Sequence, residues 1–157
     1  MKTLIIYDSQ FGNTQKIAEI IGNCIVGAKI IKADNVIIGD LENIDLLIVG
    51  SPTHGGRPKQ EMQIFLQKIP DGLLKKSNFA AFDTRLFEKD LNFALRLLVK
   101  TIGYAAPKIA EILKLKGGKE IISPEGFFVI GKNGPFKEEE EKRAINWTKQ
   151  VILNSKI

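Results

Sequence analysis

The sequence predicts an α/β fold, a doubly wound parallel sheet with helices on both faces, built from all 157 residues as one domain. Three observations lead there. Short apolar runs at residues 4–7, 45–49 and 78–82 have almost no polar interruption, as suits strands covered on both sides. Between them, apolar residues recur at the i, i+3, i+4 spacing of amphipathic helices. Strand and helix patterns then alternate along the whole chain, with no repeat, low-complexity tract or linker.

Taken in order, residues 4–7 (LIIY) are the first strand. From Lys16 a helix carries Ile17, Ala18, Ile20, Ile21, Cys24 and Ile25 on one stripe, and Gly27 ends it. Cys24 is expected to be a buried structural thiol on that stripe. Residues 28–32 read as a second strand. Residues 35–43 are polar and loop-like around an apolar patch at Val36, Ile37 and Ile38. The third strand, 45–49, leads into a loop over 50–57. Pro58 suits a first helical position, and the helix it opens bears Met62, Phe65, Leu66 and Ile69 on one face. Residues 78–82 form a fourth strand, ended by Asp83-Thr84-Arg85. The stretch 86–102, rich in Leu, Phe and Val, is read as helical with Gly103 as a break. A helix over 107–115 presents Ile109, Ile112 and Leu113 and closes at Lys116-Gly117. A fifth strand within 120–130 is interrupted at 124–126. The last helix follows Gly134-Pro135, with Glu138/Lys142 and Glu139/Arg143 as i, i+4 pairs.

Composition narrows the function classes. Hydrophobic content of 44% and charged content of 26% are ordinary for a globular protein with a sizeable core. One cysteine cannot make an internal disulfide. The first strand begins at once, leaving no room for a signal peptide, and no apolar run is long enough to span a membrane. A cytoplasmic location is expected. The net charge of +5 raises nucleic-acid binding, but the lysines are scattered and lack interleaved aromatics for base stacking. His54 is the only histidine, too little for a metal cluster or a Ser-His-Asp triad. No metal site is expected.

Three segments at predicted strand ends carry the chemistry. The first is Ser9-Gln10-Phe11-Gly12-Asn13-Thr14, between the first strand and its helix. A strand that feeds directly into a helix leaves N–H groups without partners, and these form an anion site together with the positive end of the helix dipole. Gly12 lets the backbone wrap close, while Ser9, Asn13 and Thr14 offer further donors. The loop is neither a Walker A sequence, which needs G-K-[ST], nor G-x-G-x-x-G. Alternatively Asn13 or Thr14 is a helix cap and the turn binds nothing. The second segment is Ser51-Pro52-Thr53-His54-Gly55-Gly56-Arg57, and the third is Asp83-Thr84-Arg85. In a doubly wound sheet these loops converge at the carboxyl ends of the strands. Phospho-receiver domains share such a topology but need an acceptor aspartate after strand three, where this chain has Gly50-Ser51.

The first loop resembles the S-x-x-G-N-T phosphate loop of flavodoxins, with Phe11 where that family more often has threonine. The second resembles the flavin-covering loop of flavodoxin-like proteins and related quinone reductases, with His54 at the usual aromatic position. The resemblance implies strand order 2-1-3-4-5 and a bound FMN. It places the phosphate on Ser9, Gln10, Phe11, Gly12, Asn13 and Thr14. The ring lies between Pro52, Thr53, His54, Gly55 and Gly56 on one side and Asp83, Thr84 and Arg85 on the other. Gly55-Gly56 would permit the peptide flip by which the family offers a carbonyl to the flavin. No side chain need act as acid or base. The function implied is electron transfer, the flavin cycling between oxidised, semiquinone and hydroquinone states. The alternative is an NAD(P)H-dependent FMN quinone reductase, so the partners are redox proteins or a small quinone-type acceptor. The basic charge departs from the acidic family habit. It makes Arg85 an expected positive charge at the ring edge, favouring the anionic reduced flavin, or else an exposed arginine paired with solvent or with Asp83. The apolar density of 86–102 is expected to meet either the flavin or a second subunit, as in a homodimer.

Overall fold

The computed structural model describes residues 1–87, 91–131, 133–137 and 139–156. Strands β1 (Thr3–Tyr7), β2 (Lys29–Lys32), β3 (Leu46–Pro52), β4 (Asn78–Leu86), β5 (Lys119–Glu120) and β6 (Glu125–Val129) form one parallel sheet. Its order is β2-β1-β3-β4-β5, with β6 also paired to β4. This is the predicted 2-1-3-4-5 arrangement, with the fifth position shared by two segments. The helices are α1 (Asn13–Asn23), α2 (Gln60–Lys68), α3 (Phe93–Ile102), α4 (Ala105–Leu115) and α5 (Glu140–Asn154).

The pleat sorts the strand residues onto two cores, because successive side chains point to opposite faces. Leu4, Ile6, Leu47, Val49, Phe79 and Ala81 pack under α2 and α4. Ile5, Leu46, Ile48, Ala80, Phe82 and Phe127 pack under α1 and α5, where Phe82, Phe127 and Trp147 meet edge to face at 6.0–6.2 Å. Gly50 makes that cluster possible, since a Cβ there would lie 2.1 Å from Cζ of Phe82.

Several boundaries differ from the sequence reading, each for a local reason. Asp83, Thr84 and Arg85 are not a loop; they continue β4, paired in register with Ser51, Pro52 and residues of β6. The interrupted fifth strand is two strands, β5 against the start of β4 and β6 against its end. Helix α2 starts at Gln60 rather than Pro58, because Lys59 is still extended (φ −58°, ψ 156°) and donates its N–H to Oγ of Ser51 at 2.9 Å. Residues 33–35 and 38–41 form 3-10 turns in place of a featureless loop. Cys24 lies at the end of α1 and is half-buried. Glu138, and with it the Glu138/Lys142 pair, lies outside the described residues. Arg143 pairs with Glu140 and Glu125 instead of Glu139.

Candidate functional site

At the carboxyl edge of the sheet a cavity of about 480 Å³ brings the three segments together. Ser9, Gln10, Phe11, Asn13 and Thr14 line it from the first loop, and Pro52, Thr53, His54 and Gly55 from the second. Thr84 and Arg85 line it from the end of β4, joined by Leu86 and Val129. Gly12, Gly56 and Asp83 do not line it; they shape it from behind.

Gly12 caps α1 in the left-handed region (φ 86°), without a side-chain cap, and no atom lies within 4 Å of where its Cβ would be. Its N–H donates to Oγ of Ser9 at 3.0 Å, and the Ser9 N–H donates to Oδ1 of Asp8 at 2.7 Å. The N–H groups of Asn13, Thr14 and Gln15 have no acceptor among the described residues. Two of the side chains also make contacts within the chain. Asn13 donates its amide to the Asn133 carbonyl at 3.0 Å, strapping the loop after β6 over the start of α1. The Thr14 hydroxyl meets the Thr84 hydroxyl at 2.8 Å.

In the second loop His54 and Arg57 exchange both backbone hydrogen bonds, at 2.9 and 3.0 Å. Gly55 (φ 54°) and Gly56 (φ 75°) lie between them, both in the region that only glycine enters cheaply. Gly56 is held against α3: a Cβ there would be 2.0 Å from Cγ2 of Ile102. His54 is exposed. Oγ1 of Thr53 accepts the Ala105 N–H at 2.9 Å, so Thr53 caps α4 from another loop.

Asp83 completes that cap, its Oδ2 accepting the Ala106 N–H at 2.8 Å. Asp83 is fully buried and held by both arms of the Arg85 guanidinium, Nη2 to Oδ2 at 2.7 Å. Burial pushes the Asp83 carboxyl up, while Arg85 and the Ala106 N–H pull it back. The guanidinium also lies 3.6 Å from the Tyr104 ring centroid and crosses Gly126, where a Cβ would be 2.2 Å from it. Of the two expectations for Arg85, the pairing with Asp83 is the one observed, within a buried strand end rather than at an exposed one. Asp83 neutralises the guanidinium in place.

Sequence reasoning missed Leu86, Val129 and Asn133. The apolar end of β6 was a visible signal, and so were Gly131 and Gly134-Pro135 shortly after it, since they follow a strand reaching the same edge.

Residues 4–116 match the flavodoxin domain family. The chain belongs to the flavodoxin family. Among solved structures, a flavodoxin from the domain Archaea superposes with a TM-score of 0.73 at 21% identity, covering 100% of both chains. Oxidised Flavodoxin 1 from Bacillus cereus gives 0.75 at 19%, covering 98% of each. Rubredoxin oxygen:oxidoreductase from Desulfovibrio gigas gives 0.74 at 19%, over 99% of this chain and 36% of that one. No curated protein matches the sequence. The flavodoxin match ends before β6, so Val129 and Asn133 are supplied by a part of the chain beyond it.

Proposed function

We propose that the protein binds FMN in the 480 Å³ cavity and works as an electron carrier between redox partners. One observation supports this above the rest: N–H groups at the start of α1 have no acceptor among the described residues, and two of the residues that carry them, Asn13 and Thr14, line a cavity of ligand size on a chain of the flavodoxin family. The residues present fit the group. Gly12 leaves open space where a side chain would stand, and among the described residues no carboxylate lines the cavity to repel a phosphate.

When bound, FMN supplies the redox chemistry. The chain binds and orients it. N–H groups of Asn13, Thr14 and Gln15 hold the phosphate, and the Thr84 hydroxyl braces Thr14 so that it too can donate. The Gly55-Gly56 turn borders the ring site, its position set by Ile102. The Asp83–Arg85 pair keeps that strand end electrically balanced and fixes α4.

Titration of the apoprotein tests the reading. FMN should bind far more tightly than riboflavin, which lacks the phosphate. Gly12→Val should abolish FMN binding while the fold survives, because valine cannot hold φ 86° without unwinding the turn. Equal affinity for FMN and riboflavin, or unimpaired FMN binding by Gly12→Val, would reject the site.

A second reading has its own support. A separate chamber of about 220 Å³, walled by Leu95, Leu98, Val99 and Ile102, adjoins the first cavity across Gly55 and Arg85. Such a chamber has room for a flat apolar acceptor, as an NAD(P)H-dependent quinone reductase requires. NAD(P)H oxidation by the FMN-loaded protein with a quinone separates this reading from the carrier.

A further inference from the structure

Helix α3 differs from the other helices in burying no residue at all, whereas α1, α2, α4 and α5 each bury at least three. It is apolar on both sides. At 3.6 residues per turn, Leu95, Leu98, Val99 and Ile102 face the Gly55-Gly56 turn and wall the small chamber. Phe93 and Leu97, four apart, lie on the opposite side and stand 83% and 59% exposed. A helix apolar all round belongs in apolar surroundings. The outward face of α3 has none in the monomer.

Charge indicates what covers it. Lys100 shares the face of Phe93 and Leu97, three and seven residues on, and is exposed. No Asp or Glu occurs from Leu91 through Ala110, a stretch that also holds Lys108. Arg57 adds an exposed cation on the turn that Ile102 packs against. Glu88, Lys89 and Asp90 lie outside the described residues. A second copy of the chain, packed through this face about a twofold axis, would bring its cations together. An anionic surface takes them all. An apolar pair flanked by cations is the pattern of a helix lying in a lipid headgroup layer, with its long basic side chains reaching phosphates. The ten residues of α3 rise about 15 Å, half the hydrocarbon thickness, so such a helix lies in the plane of the surface and does not cross it. Among the described residues no helix is long and apolar enough to span.

We propose that the outward face of α3 docks on a membrane rich in anionic phospholipid, with Phe93 and Leu97 entering the headgroup boundary and Lys100 meeting lipid phosphates. The proposal does not depend on what fills the cavity.

Vesicle flotation of the full chain tests it. The protein should float with vesicles of phosphatidylglycerol and phosphatidylcholine, stay behind with pure phosphatidylcholine, and be released by high salt. Combining Phe93→Ser with Leu97→Ser should cut binding at least about tenfold. Lys100→Gln should cut it about fivefold. Lys149→Gln, an exposed lysine on α5, should leave it unchanged. All four positions changed are exposed, and melting curves report whether each variant keeps its fold. Failure to float with the vesicles that contain phosphatidylglycerol would overturn the proposal, and so would equal flotation with pure phosphatidylcholine. So would flotation that survives the Phe93/Leu97 pair, or equal loss from Lys149→Gln and Lys100→Gln. A wild-type dimer that the same pair converts to monomer would show instead that a second copy covers the face.

Discussion

Helices α1 and α3 each follow a strand at the edge that carries the cavity, yet they end in opposite environments. α1 buries Ile17, Ala18 and Ile21 against Ile5 and Ile48. α3 has a sequence at least as apolar and buries nothing. The difference lies in what the topology sets opposite each helix. α1 crosses from the middle of the sheet to β2 and lies along the sheet face. α3 is followed at once by α4, whose Ile109, Ala110 and Leu113 already occupy the face beside β4. What α3 meets instead is the Gly55-Gly56 turn, against which Ile102 packs. An apolar stripe announces that a surface needs covering; it does not say by what.

The largest expected effect lies at the strand end beneath both helices. Arg85→Gln removes the partner of a fully buried carboxylate and should cost about 3–5 kcal/mol in urea unfolding. Adding Asp83→Asn should restore part of the loss, since the unpaired charge goes with it. A cost below about 1 kcal/mol for the single variant would mean that the pair is weakly coupled, and that Arg85 is after all a free cation of the cavity wall.

Comparable truncations of the two helices sharpen the contrast directly. Ile21→Ala in α1 empties a fully buried site and should cost about 2–5 kcal/mol. Leu97→Ala in α3 should stay within about 0.5 kcal/mol, because its side chain already meets water. Denaturant midpoints for the two variants measure both. Similar losses would show that α3 is covered in solution.

How much of this could be read beforehand follows the same division. The sheet was legible because β1, β3 and the first half of β4 are uninterrupted apolar runs, and their pleat leaves little choice of faces. The first two loops were legible because Gly12, Gly55 and Gly56 mark backbone that only glycine accepts easily. The Asp83–Arg85 segment was misread as a loop. Two charged residues look like a strand end, and nothing local says that one is buried as the ion partner of the other while it caps a helix twenty residues on. The tie from Asn13 to Asn133 spans most of the chain and has no local signature. Helix α3 was visible as surplus apolar surface, but its neighbour is fixed by the position of α4.

The smallest expected effect concerns pH, and it should fall at the α1 end alone. Asp8, the residue before the first loop, is fully buried; its Oδ1 accepts the Ser9 N–H, and Nζ of Lys59 lies 3.5 Å away. Its Oδ2 has no hydrogen-bond partner among the described residues. Burial raises the carboxyl above its ordinary value of 3.8, more than Lys59 lowers it. The folded chain therefore holds this proton more tightly than the unfolded chain. The stability that proton confers is complete below about pH 3.8 and is lost as pH rises through the raised folded value. Asp8→Asn cannot titrate. It should gain on the wild type between pH 4 and 7 by an amount on the order of 1 kcal/mol, the scale of one polar contact. Urea midpoints of the two proteins, followed across that range, should diverge with rising pH and then run parallel. Curves parallel throughout would place the Asp8 carboxylate in balance with Lys59, and a gap that narrows with rising pH would reverse the sign of the burial effect.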